Sequence, residues 1–213
     1  MMMMMISKEY EKYLRSAAWS EKRTARLRID HGRCAICGSD QDLNVHHLTY
    51  RNIMKEDVQQ DLVTLCRPCH AMLHRIQEQS MDLFQEYKAE KDQRIRETRK
   101  RDLMKLLFRL IIVEIWQRDL TAGGDVRIFD SGKQMIGKLT QILKLIYPEL
   151  RQDLWRMNDE IKDTLGVFRS ALVVQDYRSG YSINEVADHF GMKASNVQKI
   201  LKRHGFNYAA RIK

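Results

Sequence analysis

Four cysteines and four histidines lie in one stretch of this chain at spacings typical of metal sites. They are Cys34, Cys37, His46, His47, Cys66, Cys69, His70 and His74. The cysteines form two C-x-x-C pairs, and two such pairs can close one tetrahedral zinc site that holds a small scaffold together. Imidazole serves as a metal ligand or as a base near neutral pH, so the histidines supply the groups needed to hydrolyse a phosphodiester.

The spacing separates these residues into two sites. A site closed by four thiolates has no open position, so we expect the cysteines to hold a structural zinc. The segment between Cys37 and Cys66 is longer than in compact zinc fingers, and it carries the adjacent pair His46 and His47. The remaining two histidines are four residues apart and would share one face of a helix. The histidines therefore predict a second, exchangeable metal ion.

Cysteine usage also bears on the cellular compartment. All four cysteines belong to these pairs, which leaves none for a disulfide framework. The methionine run at residues 1–5 lacks the basic and apolar regions of a signal peptide. C-x-x-C pairs in a chain without a secretory signal predict metal binding in a reducing compartment. We therefore expect a cytoplasmic protein.

Short helices and strands are predicted around these residues. The spacing of apolar side chains predicts a helix over residues 7–30. Residues 43–45 predict a strand that leads into the adjacent histidines, and residues 62–65 predict a second strand. Pro68 suits the first turn of a following helix. The predicted order is strand, loop, strand, helix.

A longer series of residues surrounds the ligands in a recognisable order. In the sequence these residues are Tyr13-Leu14-x-Ser16, Trp19, Cys34-x-x-Cys37-Gly38, Val45-His46-His47-Leu48-Thr49-Tyr50 and Asp61-Leu62-Val63-Thr64-Leu65-Cys66-Arg67-x-Cys69-His70. The series resembles the HNH endonuclease family, in the zinc-stapled form common in phages and bacteria. This resemblance implies a ββα-metal fold, in which a β-hairpin and a helix hold one catalytic divalent ion.

The resemblance also implies roles for individual residues. His47 would be the general base that activates water for attack on the phosphate. His46 and His70 would bind the catalytic ion, which would be Mg²⁺ or Mn²⁺. Asp61 stands where the family often has Asn, and it would orient His47 by accepting its ring N–H. His74 would be a third ligand, or it would contact the ligands without binding the ion itself.

The composition favours a polyanionic partner. The chain of 213 residues has a formal net charge of +9, and its pI is about 9.4. Nucleic acid is the leading partner for such a chain, with Arg51 and Arg67 as phosphate contacts near the histidines. The longest apolar stretch, residues 103–116, contains three charged residues and is too short to span a membrane. It predicts a buried helix, and we expect no membrane partner.

The C-terminal residues predict two short helices joined by a sharp turn. Ser182 and Glu185 form a capping box that starts the first helix. Ala187 is small where two helices approach, and Gly191 suits the turn. This spacing resembles the helix-turn-helix family, whose second helix lies in the major groove of DNA; the alternative is a plain helical hairpin in a packed domain. The outward residues that would contact DNA are Ser195, Asn196, Gln198, Lys199 and Lys202.

Together these observations predict an α+β protein in four parts. Residues 1–80 would form the HNH module with its four-cysteine zinc, and residues 81–120 a charged helical linker. Residues 121–175 would be a helical region without assigned chemistry, and residues 176–213 the helix-turn-helix domain. Gly123 and Gly124 mark the break after the linker.

The two resemblances imply an endonuclease that cuts double-stranded DNA to 5′-phosphate and 3′-hydroxyl ends. A nuclease module joined to a module that reads the major groove is similar to homing endonucleases, which often nick one strand of DNA. We would expect such a protein in bacterial or phage-infected cells. Two alternatives stay open. One is a zinc-stabilised transcription regulator that binds DNA without cutting it, and the other is a restriction or defence nuclease.

Overall fold

The fold is given by a computed structural model that describes residues 8–121 and 128–206, with the side chains of residues 116–133 left aside. The methionine run and the predicted break at Gly123 and Gly124 lie outside the described residues. Within them the fold class is α+β, as predicted, since a single two-stranded sheet accompanies a mostly helical chain. None of the described helices combines the length and apolarity that a membrane crossing needs.

The helices and strands follow one another in this order along the described residues. They are α1 (Lys8–Leu14), α2 (Ala17–Ile29), β1 (Leu43–His47), β2 (Leu62–Cys66), α3 (Arg67–Ala89), α4 (Gln93–Thr121), α5 (Ile128–Ile146), a 3-10 turn (Pro148–Leu150), α6 (Arg151–Arg178), α7 (Ile183–His189) and α8 (Ala194–Arg203).

The predicted N-terminal helix is divided in two at Ser16. The hydroxyl of Ser16 accepts a hydrogen bond from the backbone N–H of Trp19 at 3.2 Å, and its backbone is extended. This side chain caps α2, so α1 ends before it. The division brings Tyr13 and Trp19 together against Leu62 of β2. Helix α2 ends as predicted before Gly32, whose φ of +61° is left-handed.

The strands form an antiparallel hairpin that carries the adjacent histidines. The register pairs Leu43 with Cys66 and His47 with Leu62. Strand β1 is therefore longer than predicted, because the two histidines continue the ladder. Residues 48–61 connect the strands as a loop.

An ion pair at the end of α2 braces this hairpin. Arg26 contacts both carboxylate oxygens of Asp30, at 2.7 and 2.6 Å, and one of them accepts the N–H of Thr64 in β2 at 2.9 Å. Arg26 also donates to the carbonyls of Val58 and Gln59 in the loop. Although burial opposes ionisation, the hydrogen bonds from Arg26 and Thr64 lower the pKa of Asp30. The charged carboxylate therefore ties α2 to β2.

Helix α3 follows β2 directly and packs along α4. The guanidinium of Arg75 on α3 makes two contacts with the carboxylate of Glu114 on α4, at 2.7 and 2.5 Å. Glu114 is one of the charges inside the apolar stretch that predicted a buried helix. Leu107 and Ile111 of that stretch are fully buried, as predicted. The partner on α3 explains how a buried helix can include a carboxylate.

One hydrophobic core runs from the hairpin into the helical half. Its buried members include Leu65 of β2, Ile76 of α3, Leu107 of α4, Leu139 of α5 and Ile161 of α6. The predicted boundary after residue 80 falls inside α3. The hairpin with α3 and the following helices therefore share a core.

The last turns of α6 pack with α7 and α8 around a second cluster. Val173, Val186 and Val197 are fully buried there. Both hydrogen bonds of the predicted capping box are present between Ser182 and Glu185, at 3.2 and 2.7 Å. The turn between α7 and α8 contains a left-handed glycine, since the φ of Gly191 is +53°. One face of α8 thus packs in this cluster, and its opposite face is exposed.

Candidate metal centres and catalytic site

The four cysteine sulfurs converge beside the hairpin. They all lie within 4.8 Å of one another, and the sulfurs of Cys37 and Cys66 are 3.5 Å apart. All four are free thiols. Zinc–sulfur bonds of about 2.3 Å place tetrahedral ligands roughly 4 Å apart. The cluster therefore fits one zinc ion enclosed by four thiolates.

Local backbone geometry builds each half of this cluster. Gly38 adopts a φ of +76°, and its N–H donates to the carbonyl of Cys34 at 2.9 Å, which closes a tight turn. The second pair comes from the end of β2 and the first turn of α3. Hydrogen bonds from the thiols of Cys34 and Cys69 lower the pKa of Cys37. Cys37 thus favours the thiolate form that binds a metal, whereas burial raises the pKa of Cys66.

Three histidines form a second cluster between β1 and α3. His46 contacts the rings of His70 and His74, with centroids 5.0 and 4.8 Å away. The Nε2 atoms of His70 and His74 are 3.3 Å apart, because the two residues are one helical turn apart on α3. One ligand nitrogen from each ring lies within 4.8 Å of the others. The structure therefore brings together the three predicted histidines.

The protonation state of this cluster suits a metal. Burial, together with the nearby His74 and His70, lowers the pKa of His46 to about 3, and burial also lowers the pKa of His70. Neutral imidazoles keep the lone pairs that bind metals. The Nε2 atom of His46 is buried without a hydrogen-bond partner in the described structure. Such an atom is costly, and a bound metal would satisfy it.

His47, the next residue of β1, lies in a separate aromatic enclosure. Successive residues of a strand point to opposite faces, so its ring turns away from the histidine cluster. It stacks against Trp19 and Tyr50, with centroids 4.8 and 5.6 Å away. Its Nδ1 lies 3.3 Å from the hydroxyl of Tyr10. Because only 4% of His47 is exposed, its ring is covered and held in one orientation.

The remaining wall of this enclosure is Glu56, which the sequence analysis missed. Its Oε1 accepts a hydrogen bond from Nε2 of His47 at 3.1 Å. Tyr13 and Lys22 donate to its other oxygen, each at 2.6 Å. Although burial opposes ionisation, the hydrogen bonds from Lys22 and Tyr13 lower the pKa of Glu56 to about 2. A charged carboxylate is therefore fixed beside the imidazole, and its hydrogen bond opposes the effect of burial, which lowers the pKa of His47.

The contact predicted for Asp61 is made by Glu56. Asp61 instead accepts hydrogen bonds from the side chain of Asn52 at 3.0 Å and from the backbone N–H of Asp57 at 2.9 Å. Its charge acts on His47 only through space. Asp61 thereby shapes the loop between the strands. The only sequence signal for Glu56 is its position in that loop, nine residues after His47.

The predicted DNA contacts lie in two separate places. Arg51 and Arg67 are exposed beside the hairpin, the first in the loop after β1 and the second at the start of α3. The other predicted contacts share the face of α8 that turns away from the C-terminal core, where they are exposed or half-buried. They are Ser195, Asn196, Gln198, Lys199 and Lys202.

Replacement of a single thiol tests the zinc assignment. We expect Cys37→Ser to lose its zinc and to unfold at a much lower temperature, because a structural zinc contributes about 10 kcal/mol or more to folding. Metal content by mass spectrometry and the thermal midpoint measure both effects. The matched control, His74→Ala, should keep the zinc. A zinc content of Cys37→Ser equal to that of the wild type would contradict the four-thiolate site.

Comparison with known proteins agrees with this geometry over part of the chain. The family model described as HNH endonuclease matches residues 34–75, a stretch that holds both cysteine pairs and all three clustered histidines. No curated protein and no solved structure matches the chain. The match of residues 34–75 to the HNH endonuclease model points to a nuclease or to another DNA-binding role.

Proposed function

We propose that the protein is a metal-dependent DNA endonuclease whose hydrolytic centre is formed by the two histidine environments. The match to HNH endonucleases supports a nuclease. The observation that carries the proposal is the contact between His47 and Glu56, at 3.1 Å in a buried enclosure. A purely structural zinc module has no need of a charged carboxylate held against an imidazole.

Three imidazole nitrogens, those of His46, His70 and His74, would hold the catalytic ion. When bound, a divalent ion stabilises negative charge on the phosphate and on the leaving 3′ oxygen. Imidazole suits Zn²⁺ or Ni²⁺, whereas Mg²⁺ prefers oxygen ligands. The three imidazole ligands therefore favour Zn²⁺ or Ni²⁺ over the Mg²⁺ or Mn²⁺ expected from the resemblance.

His47 acts as the general base in this proposal. Because Glu56 accepts the N–H at Nε2, the proton-accepting nitrogen is Nδ1. Water attacks phosphorus and loses a proton to Nδ1, and the bond from phosphorus to the 3′ oxygen breaks. Glu56 stabilises the imidazolium that forms, and solvent protonates the leaving oxygen. The hydroxyl of Tyr10 lies where the water must be, so Tyr10 moves aside when DNA binds.

Removal of the base tests this function. We expect the wild-type protein to nick supercoiled plasmid in the presence of a divalent ion, leaving 5′-phosphate and 3′-hydroxyl ends. His47→Ala should lower the nicking rate about 10²- to 10⁴-fold, the usual contribution of a general base. His31→Asn is the matched control, because His31 is an exposed turn residue with a φ of +54° that Asn also tolerates.

The same assay separates cutting from DNA binding alone. The covered ring of His47 is the observation that favours a non-catalytic, zinc-stabilised regulator. Equal nicking by His47→Ala and the wild type, or no nicking with Mg²⁺, Mn²⁺, Ni²⁺ or Zn²⁺, would support that second candidate instead. A faster reaction with Ni²⁺ than with Mg²⁺ supports the imidazole ligand set.

Glu56 is a positioning residue in this proposal, and a pair of variants separates that role from a structural one. Glu56→Gln should lower the single-turnover rate at saturating DNA about 10- to 100-fold, the range found when a partner that orients a histidine is lost. Tyr13→Phe is the matched control, since it removes another hydrogen bond of Glu56 and leaves His47 untouched. It should lower the thermal midpoint and keep the rate. Equal loss of rate in both variants would assign Glu56 to the scaffold.

We further propose that α7 and α8 direct the nuclease to a DNA site, as in homing endonucleases. The exposed face of α8 carries amide and ammonium groups. Amides can pair with adenine edges, and lysines contact phosphate. The capping box and the left-handed Gly191 fix the angle between the helices. A reader of this kind supports site-directed cutting of double-stranded DNA, with one strand cut per event.

Two substitutions on α8 distinguish recognition of a base sequence from non-specific electrostatic attraction to DNA. Binding sites selected from random duplexes by the His47→Ala protein should reveal a preferred sequence. Asn196→Ala should relax the preference at one base pair, where the loss of a base contact costs about 1–3 kcal/mol. Lys202→Ala should weaken all sequences alike and reduce the salt dependence of binding. Selection without any preferred sequence would contradict a reading role.

A further inference from the structure

A groove between the end of α5 and the start of α6 is not used by either proposed DNA contact. It has a volume of about 670 Å³, which is in the range of ligand pockets. Its walls are Gln141, Lys144 and Leu145 of α5 and Arg151, Gln152, Trp155 and Arg156 of α6. Three of these side chains are cationic, and none of the described residues in its walls carries a carboxylate.

An exposed indole dominates this groove. Trp155 is 63% exposed, far more than a large aromatic side chain usually is. The ammonium of Lys144 lies 4.5 Å from the ring centroid, so one face of the indole carries a cation and solvent reaches the remainder of the ring. Leu145 beside it is 54% exposed. A flat apolar platform is thus presented to solvent, with the buried Lys144 against one face of the indole.

The charge of the groove selects the kind of partner. Arg151 and Arg156 are exposed and have no ion-pair partner within the described part of the chain. Lys100 of α4 differs from these two arginines, because its ammonium is paired with the carboxylate of Asp153 at 3.0 Å. Unpaired cations around an aromatic platform fit an anion with flat rings. A second copy of this chain would set cations against cations, which disfavours self-association here.

The chain beside this groove is tied to α3. Glu149, two residues before Arg151, makes an ion pair with Lys88 of α3 at 2.9 Å.

We propose that this groove binds single-stranded nucleic acid, with an unpaired base stacked on Trp155 and phosphates held by Arg151 and Arg156. The two glutamines offer amide donors and acceptors to base edges. Duplex DNA keeps its bases paired and stacked, so it cannot use the platform. The inference rests on the proposed function only in taking nucleic acid as the class of partner.

The test measures binding of a labelled oligothymidine by fluorescence anisotropy, with the full chain and without an added divalent ion. Trp155→Ala should weaken this binding about 5- to 100-fold, the range for loss of one stacked base, and Trp155→Phe should restore most of it. Binding of a blunt duplex should change less than about twofold, because a duplex offers no base to stack. Val167→Ala is the matched control, since Val167 is 69% exposed on the same helix outside the groove.

Three results would overturn the inference. The first is unchanged oligothymidine binding by Trp155→Ala. The second is equal weakening for single strands and duplex, which would make Trp155 a support of the fold. The third is a change of sedimentation by Trp155→Ala with unaltered oligothymidine binding, which would make the groove a contact between copies. None of these measurements requires DNA cleavage. They therefore test the groove even if the protein does not cut DNA.

Discussion

The antiparallel pairing of β1 with β2 is the constraint on which the site depends. The ladder extends through His46 and His47, and a strand turns consecutive side chains to opposite faces. One imidazole therefore meets α3 and its two histidines, while the next meets Trp19 and Glu56. The proposed ligand and the proposed base are covalent neighbours in different surroundings. A shift of register by one residue would exchange the two roles and leave neither ring with its partners.

The two clusters of candidate metal ligands were predictable because thiol and imidazole are rare side chains whose chemistry restricts their spacing. Two C-x-x-C pairs and a pair of histidines one helical turn apart predicted both clusters from the sequence. Glu56 was not predictable in this way. It is one of several carboxylates in a polar loop, and its contact with His47 depends on how that loop turns. Met54 has a φ of +71°, and its N–H donates to Glu56 at 3.0 Å. No local sequence pattern predicts this conformation.

The helices of the second half were predictable as elements but not as an assembly. Their apolar spacing predicted buried faces, and Ser182 with Glu185 predicted the start of α7. The charge-dense composition after residue 80 predicted a solvated linker. In the structure α3 continues to Ala89 and α4 returns along it, and Phe84, Tyr87 and Leu103 are buried in the core that the two helices share. Burial of a few apolar side chains against a distant helix is a tertiary property, and it overrode the charged composition of the segment.

Helix α6 has a consequence for distance along a DNA target. It contains 28 residues, and at a rise of about 1.5 Å each it measures about 42 Å. Its first turn follows Glu149, which pairs with Lys88 near the end of α3, and its last turns hold α7 and α8. This length corresponds to about 12 base pairs at 3.4 Å per step. Under the proposed function, this continuous helix would fix the distance between the end of α3 and the DNA sequence that is recognised, and so set a constant offset between that sequence and the cut.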